Sequence, residues 1–142
     1  MSQNRKVAII TGSSQGLGAS IAKKLSKKNV NVVINYSSSK ELAEKIRDEC
    51  ISNGVEAIAI KADVSQNEDC IKLVKRAEDV FGKVDILVNN AGTTKFADHS
   101  KLEKLSDEDF INIYKVNVIG PYQMIRAVEP IMKKTGFGAV VN

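Results

Sequence analysis

The amino-acid sequence predicts an α/β fold built on a doubly wound parallel sheet. Five short runs rich in Val and Ile alternate with longer segments in which apolar residues recur every three to four positions. The runs are continuously apolar, as in strands that are covered on both faces. Right-handed crossovers between such strands give the strand order 3-2-1-4-5, and we expect the sheet to be truncated after the fifth strand.

The elements follow one another in a regular order along the chain. The predicted strands are Val7–Thr11, Asn31–Asn35, Ala57–Lys61, Asp85–Asn89 and Gly138–Asn142. Between the first four strands lie three segments with helical periodicity, and we expect their apolar stripes to face the sheet. The stripes consist of Leu17, Ile21, Ala22 and Leu25, then Leu42, Ala43, Ile46 and Cys50, then Ile71, Val74, Ala77 and Phe81.

Capping signals mark several helix starts. A hydroxyl followed three residues later by an acid can close a capping box, and Gly54 and Gly82 stand near predicted helix ends. Residues 93–104 are predicted to form a loop or short helix beside any ligand cleft. The capping pairs are Ser38 with Glu41, Ser65 with Glu68 and, as a weaker match, Ser106 with Asp109.

Composition excludes several classes of function. The 142 residues are 43% hydrophobic and 27% charged, which is typical of a globular domain. The net charge is +4, but the 21 basic residues are interleaved with 17 acidic ones, and four Phe and three Tyr offer little stacking surface, so we expect no nucleic-acid partner. Cys50 and Cys70 lie in helical patterns and predict buried thiols, with no metal site.

The N-terminal residues contain no targeting signal. Met1–Lys6 is short and polar, and the apolar run that follows is too short for a signal peptide or a membrane span. We therefore expect a cytoplasmic protein with no membrane partner. No linker or internal repeat divides the chain, so residues 1–142 are expected to form one unit.

A glycine-rich turn follows the first predicted strand. Open α/β sheets bind a dinucleotide phosphate at this position, where the helix N-terminus faces the anion. Gly12 would permit a sharp turn, Gly16 a close approach of the pyrophosphate to the backbone, and Gly18 close packing of the helix on the sheet. The spacing differs from the commoner G-x-G-x-x-G, and a glycine turn alone is a weak signal.

Four features in order along the chain resemble the short-chain dehydrogenase/reductase family, most closely its 3-oxoacyl-(acyl-carrier-protein) reductases and glucose dehydrogenases. They are the glycine turn, Asp63-Val64 after the third strand, the Asn89–Gly92 stretch after the fourth, and Asn117 in the long helix. The resemblance implies a nucleotide-binding Rossmann domain. It places Gly12, Ser14, Gln15 and Leu17 along the pyrophosphate, Asp63 and Val64 at the adenine, and Asn90, Ala91 and Gly92 beneath the cofactor.

These roles have structural alternatives. Asp63 would also serve as a helix cap, and Asn89 and Asn90 would also serve as turn formers. Each reading accounts for the residue type, and the sequence leaves both open.

The residues after the second strand indicate the cofactor. NAD-specific sites usually carry an acid about 20 residues beyond the glycine turn, whereas this chain has Asn35, Tyr36 and Ser37 followed by Ser38. Without that carboxylate nothing repels a 2′-phosphate, and Ser37, Ser38 and Lys40 at a helix start would receive it. NADP is therefore favoured. Gln15 stands where many relatives carry an Arg, so NAD remains an alternative.

In the resembled family, catalysis depends on a Ser, a Tyr with a Lys four residues later, and an Asn in the long helix. Tyr36 and Lys40 have the Tyr-x-x-x-Lys spacing but follow the second strand, so we interpret them as a decoy. We expect the true Ser, Tyr and Lys beyond Asn142, which leaves Asn117 as the catalytic residue present.

Asn117 and His99 have simpler readings as well. Asn117 shares a predicted inward face with Phe110, Ile113, Tyr114 and Met124, where a buried Asn could satisfy the backbone; Pro121 has no N–H for the Asn117 carbonyl, which favours function. His99 lies in the loop near the expected substrate entry and is more simply a solvated side chain.

The resemblance implies an oxidoreductase that reduces a carbonyl, such as a 3-oxoacyl thioester, or oxidises a secondary alcohol. We expect a small-molecule substrate and a homo-oligomer, a tetramer by family, while the chain alone would be inactive. Two alternatives stay open. One is an NADP-binding sensor or partner subunit without catalysis, and the other is a remnant whose open fifth strand drives aggregation.

Overall fold

The computed structural model describes residues 4–142. Strands and helices alternate along the chain until the fourth strand, after which two helices precede the fifth. The strands are β1 (Val7–Ile10), β2 (Asn31–Tyr36), β3 (Ala57–Lys61), β4 (Ile86–Val88) and β5 (Ala139–Val141). The helices are α1 (Gly16–Ser26), α2 (Lys40–Ser52), α3 (Asn67–Phe81), α4 (Asp107–Tyr114) and α5 (Gly120–Thr135).

The five strands form one parallel sheet in the order β3-β2-β1-β4-β5, which confirms the predicted fold class and strand order. β1 is the central strand: Ile10 pairs with Ile34 of β2 on one side and with Val88 of β4 on the other. The carboxyl ends of these three strands therefore meet at one edge of the sheet, where open α/β folds bind ligands.

Alternate residues of the central strands enter two separate cores. Val7, Ile9 and Leu87 face α3 and α5, whereas Ala8 and Ile10 face α1 and α2. The central strands are apolar on both faces because helices cover both faces there, whereas Val140 and Val141 of β5 are exposed. Cys50 belongs to one core and Cys70 to the other, and both are buried, unpaired thiols as predicted.

Two predicted capping boxes are wrong. α2 begins after Ser39 and α3 after Gln66, each one residue later than the box requires, and neither cap side chain bonds to the helix. Ser106 and Asp109, the weaker match in sequence, do form a capping box: the Ser106 hydroxyl accepts from Asp109 N–H, and the Asp109 carboxylate accepts from Ser106 N–H. Gly82 ends α3 in the left-handed conformation, as its position suggested.

The apolar stripes were also assigned too broadly. Leu17, Leu42 and Ile71, the first residue of each stripe, are exposed, and Leu17 is 71% accessible. Their neighbours Gly18, Ala43 and Cys70 are buried, so each of the three side chains lies just off the face of its helix that packs on the sheet. In α1 the contact with the sheet is made by small residues instead, chiefly Ala19 and Ala22.

A π-helical turn, Lys115–Ile119, joins α4 to α5. Gly120 N–H reaches back five residues to the Lys115 carbonyl, and Pro121 follows without a donor of its own. Phe110 and Tyr114 were expected on the inward face of this helix but are exposed, whereas Met124 is fully buried. Within residues 4–142 no helix has both the length and the apolar character needed to cross a membrane.

Candidate functional site

A cavity of about 510 Å³ opens at the carboxyl edge of the sheet, within the range typical of small-molecule sites. It runs from the end of β3, past the turn after β1, to the loop after β4. Its walls are formed by Gly12, Ser14, Gln15, Gly16, Asn35, Tyr36, Ser37, Ser38, Ser39, Ala62, Asp63, Val64, Asn90, Ala91, Gly92, Thr93 and Val116.

Two glycines allow the turn to pack against the β4 loop. Gly12 has φ +61°, and a Cβ there would lie 2.9 Å from Ala91 Cα. A Cβ on Gly18 would lie 2.5 Å from Asn90 Nδ2 and 2.6 Å from the Gly12 carbonyl oxygen. Gly16, with φ +58°, has open space where a Cβ would be. Gly12 thus has the positive φ that a sharp turn requires, both Gly12 and Gly18 permit close packing, and Gly16 leaves its backbone accessible.

The N-terminus of α1 presents free donors to this cavity. The first donor within the helix is Ala19 N–H, which bonds to the Gln15 carbonyl at 3.2 Å. In the part of the chain that the structure describes, the N–H groups of Gly16, Leu17 and Gly18 have no protein acceptor. The first turn of α1 carries no acidic side chain that would compete for them. The arrangement favours an anion.

The loop after β4 is tied to the glycine turn through Thr11 and Asn90. Thr11 Oγ1 accepts from the N–H groups of Asn90 and Ala91, each at 3.0 Å. Asn90 Nδ2 donates to the carbonyls of Thr11 and Gly12 at 3.0 and 3.1 Å. Asn90 is therefore more than a turn former, since its side chain holds two walls of the cavity together. Thr11 was not singled out in the sequence.

The opposite wall is held by α3 and α5. The Val64 carbonyl accepts from Gln123 Nε2 at 2.8 Å and from Cys70 Sγ at 3.4 Å. Gly120 packs so closely that a Cβ would lie 2.9 Å from Val64 Cγ2. Burial raises the pKa of the Cys70 thiol to about 11, so the group is neutral.

Because α3 begins after Gln66, Asp63 does not serve as the helix cap that the sequence left open. Its Oδ1 accepts from Ser65 N–H at 2.9 Å, which shapes the turn before α3. The side chain is nevertheless exposed and lines the cavity. The two roles are compatible, because a carboxylate has several acceptor sites.

Asn117 lies in the π-helical turn and is exposed, so the simple reading of a buried Asn is wrong. Its side-chain amide nonetheless satisfies backbone: Oδ1 accepts from Thr93 N–H at 2.8 Å and Nδ2 donates to the Thr93 carbonyl at 2.9 Å. A Cβ on Gly92 would be 3.5 Å from Asn117 Oδ1. Asn117 thus stands beside the cavity and fixes the end of the β4 loop.

The structure brings twelve of the fourteen predicted cofactor-contacting residues to this one cavity, and Leu17 and Gly18 lie just outside its lining. Sequence reasoning missed several others that shape the cavity. Most of them are direct sequence neighbours of predicted residues, which is a usable signal, whereas Gln123 comes close to Val64 only through the fold. The missed residues are Thr11, Ser13, Ser39, Ala62, Thr93, Val116 and Gln123.

Tyr36 and Lys40 lie in different surroundings. Tyr36 is buried at the end of β2, and Lys40 begins α2, where its ammonium is exposed and lies 4.0 Å from Glu44. His99 is exposed and does not line the cavity. Within residues 4–142 no three His, Cys, Asp or Glu side chains are grouped so that they could hold a metal ion.

The sequence model of the short chain dehydrogenase family matches residues 6–142. The chain belongs to this family. It is 36% identical over 137 residues to a 3-oxoacyl-(acyl-carrier-protein) reductase of Staphylococcus epidermidis, covering 96% of this chain and 55% of the relative. An uncharacterized oxidoreductase of Methylorubrum extorquens is 41% identical, with 96% and 53% covered. The chain thus spans about half the length of these curated relatives.

Solved structures of the family share the fold. An alcohol dehydrogenase from the archaeon Thermococcus sibiricus, complexed with 5-hydroxy-NADP, superposes with a TM-score of 0.86 at 35% identity, covering 97% of this chain and 57% of that one. An NAD⁺-bound xylitol dehydrogenase superposes with a TM-score of 0.88 at 30% identity, covering 96% and 52%. The resemblance inferred from the sequence motifs is confirmed.

Proposed function

We propose that this chain forms the cofactor-binding part of an NADP-dependent oxidoreductase that reduces a carbonyl or oxidises a secondary alcohol. The observation that carries this proposal is the group of N–H donors at Gly16, Leu17 and Gly18, which have no acceptor within residues 4–142. They lie at the edge of a cavity at the carboxyl ends of the strands, where open α/β sheets bind dinucleotides. Family membership supports it, since relatives are solved with NADP-type and NAD-type cofactors.

The residues present fit a dinucleotide. The pyrophosphate would lie on the N-terminus of α1, with Ser14 and Gln15 beside it, and Asp63 would accept from the adenine amine while Val64 packs on the ring. Asn90, Ala91 and Gly92 would line the nicotinamide side. When bound, the nicotinamide supplies hydride to a carbonyl carbon or accepts it from an alcohol carbon.

The preference for NADP rests on the end of β2. No carboxylate lines the cavity between Asn35 and Ser39, and the hydroxyls of Ser37 and Ser38 are exposed at its rim. Among residues 4–142, the one ion pair of Lys40 is a 4.0 Å contact with Glu44, so its charge is available to a 2′-phosphate. NAD, which has a 2′-hydroxyl in place of the 2′-phosphate, would lose the interaction with Lys40 but would meet no electrostatic repulsion.

The proton-transfer group of the reaction is proposed to come from Ser, Tyr and Lys residues beyond Asn142. Asn117 would support it by orienting water at the π-helical turn. A homo-oligomer is proposed because α4, the π-helical turn and the start of α5 expose several large apolar side chains. They are Phe110, Ile111, Tyr114, Val118 and Tyr122.

The test is a titration of the intact protein with NADPH and NADH by calorimetry, followed by assays with acetoacetyl thioesters, sugars and steroids. We expect NADPH to bind more tightly than NADH and one carbonyl class to be turned over. Tighter binding of NADH contradicts the cofactor assignment. Binding of NADPH without turnover of any carbonyl or alcohol favours the alternative of a non-catalytic nucleotide-binding subunit.

A further inference from the structure

Asn35 joins two walls of the cavity, the glycine turn after β1 and the loop after β3. It is the fifth residue of β2 and its surface is only 2% exposed. Its Oδ1 accepts from Gly12 N–H at 3.0 Å, and its Nδ2 donates to the Ala62 carbonyl at 3.1 Å. One amide thus connects the glycine turn with the loop that leads from β3 to Asp63 and Val64.

Ser13 completes the connection through the backbone. Its N–H donates to the Asn35 carbonyl at 2.9 Å, and its hydroxyl accepts from Asn35 N–H at 3.0 Å while donating to the Ile10 carbonyl at 2.7 Å. The N–H groups of Gly12 and Ser13 are therefore both occupied by Asn35. The donors left for an anion are those at the start of α1.

We propose that Asn35 is a positioning residue for the nucleotide, which fixes the separation of the phosphate-binding turn and the adenine-binding loop without using its own polar atoms on the ligand. The inference rests on the proposed nucleotide binding. It requires an amide, because the two neighbours need opposite partners: Gly12 N–H needs an acceptor, and the Ala62 carbonyl needs a donor. A carboxylate would meet only the first need.

This role differs from that of a residue that selects between cofactors. Selection between the ribose 2′-hydroxyl and the 2′-phosphate depends on groups at the rim, such as Ser37 and Ser38. The side chain of Asn35 faces inward instead, toward Gly12 and Ala62. A substitution at Asn35 should therefore lower the affinities for NADPH and NADH by the same factor. A substitution at the rim should instead alter the ratio of the two affinities.

β2 offers a matched control. Asn31, at the other end of the strand, is also 2% exposed, and its Oδ1 accepts from Glu56 N–H at 3.0 Å. Asn31→Asp and Asn35→Asp make the same chemical change in buried residues of one strand, but only Asn35 adjoins the cavity. Both are expected to lower the unfolding temperature.

The experiment measures Kd for NADPH and for NADH by calorimetry on the intact protein, at a temperature where every variant is folded. We expect Asn35→Asp to raise both Kd values by roughly tenfold or more, which corresponds to about 1.4 kcal/mol of binding free energy. The ratio of the two Kd values should change by less than about twofold. Asn31→Asp should leave both within about twofold. Asn35→Ala, which removes both hydrogen bonds, provides a second variant should Asn35→Asp not fold.

Acidification gives a further readout for Asn35→Asp. When protonated, the introduced carboxyl can donate to the Ala62 carbonyl and still accept from Gly12 N–H. The nucleotide affinity of Asn35→Asp, relative to that of the wild type, should therefore recover as pH falls. Asn35→Ala has no such group and should show no recovery. Equal affinities of wild type and the Asn35 variants, or an altered NADPH to NADH ratio, overturn the inference. A wild-type protein that binds neither nucleotide overturns the proposed function itself.

Discussion

Asn117 binds the backbone of Thr93 twice, with Oδ1 accepting from its N–H at 2.8 Å and Nδ2 donating to its carbonyl at 2.9 Å. The pair is separated by 24 residues and joins the π-helical turn to the end of the β4 loop. The side chain that we propose to support catalysis is therefore also the one that fixes the end of the β4 loop.

We expect Asn117→Asp to separate catalysis from binding. The new carboxylate can accept from Thr93 N–H but cannot donate to the Thr93 carbonyl, so the loop loses one hydrogen bond worth about 1 kcal/mol. The kcat of the intact enzyme should fall by at least about tenfold, while Kd for NADPH changes little. Steady-state kinetics with nucleotide titration checks this. Asn112→Asp, on the exposed surface of α4, is the control and should leave kcat unchanged.

Gly18→Ala should disrupt the cavity by overpacking. The added methyl would meet Asn90 Nδ2 at 2.5 Å and the Gly12 carbonyl at 2.6 Å, and neither can withdraw without breaking the bonds between them. We expect a loss of about 1–3 kcal/mol in the free energy of unfolding and a fall in NADPH affinity. Urea denaturation and calorimetry measure the two effects. Ser20→Ala, an exposed position of the same helix, should change neither.

Tyr36 and Lys40 should prove dispensable for proton transfer. Tyr36→Phe keeps the buried ring and removes only the hydroxyl, so we expect kcat to change by less than about twofold. Lys40→Gln removes a charge near the proposed 2′-phosphate, so we expect the KM for NADPH to rise several-fold with kcat retained. A large fall in kcat for either variant would show that the Tyr-x-x-x-Lys spacing here is a catalytic pair after all.

Asp109 should give the stability of the 93–109 region a dependence on pH. Lys95, whose ammonium lies 2.6 Å away, and the Ser106 N–H hold the pKa of this carboxyl below its usual 3.8. A lowered folded-state pKa means that the stabilisation is fully present above 3.8 and is lost as pH falls through the lower folded value.

Asp109→Asn is therefore expected to lower the unfolding temperature near neutral pH, with the difference from wild type shrinking below about pH 4. Thermal melts across this range measure it. Asp107→Asn removes the same charge from the same first helical turn and controls for the helix dipole. A difference that is equal at all pH values, or equal for both variants, would contradict the assignment to the Lys95 and Ser106 contacts.

The sequence predicted the fold well because its signals are local. Val and Ile runs, helical periodicity and the glycine turn each depend on a few adjacent residues, and together they define the strand order. Helix starts were less accurate, since Ser38 and Ser65 had the spacing of a capping box but the chain enters α2 and α3 one residue later. Tertiary packing can move the start of a helix by one residue, and the local sequence pattern does not reveal such a shift.

The hydrogen bonds between polar groups inside the site could not be predicted from local sequence patterns. Asn35 to Gly12, Asn90 to Thr11 and Gln123 to Val64 join residues 23, 79 and 59 positions apart. Nothing in the local pattern distinguishes an Asn that bonds a ligand from one that bonds a distant carbonyl. Asn35 was predicted as a cofactor contact, and its geometry supports instead a role in holding the walls together.

The central position of β1 has a consequence for how the chain is made. β1 leaves the ribosome first, and its β2 partner follows within about 25 residues, but β4, which covers its other edge, ends only at Val88. Asp85, whose Oδ2 accepts from Val7 N–H at 2.8 Å, is synthesised 78 residues after its partner. During translation the middle of the future sheet is thus an open edge, and the half built from β1, β2 and β3 must stay unassociated until the second half reaches it.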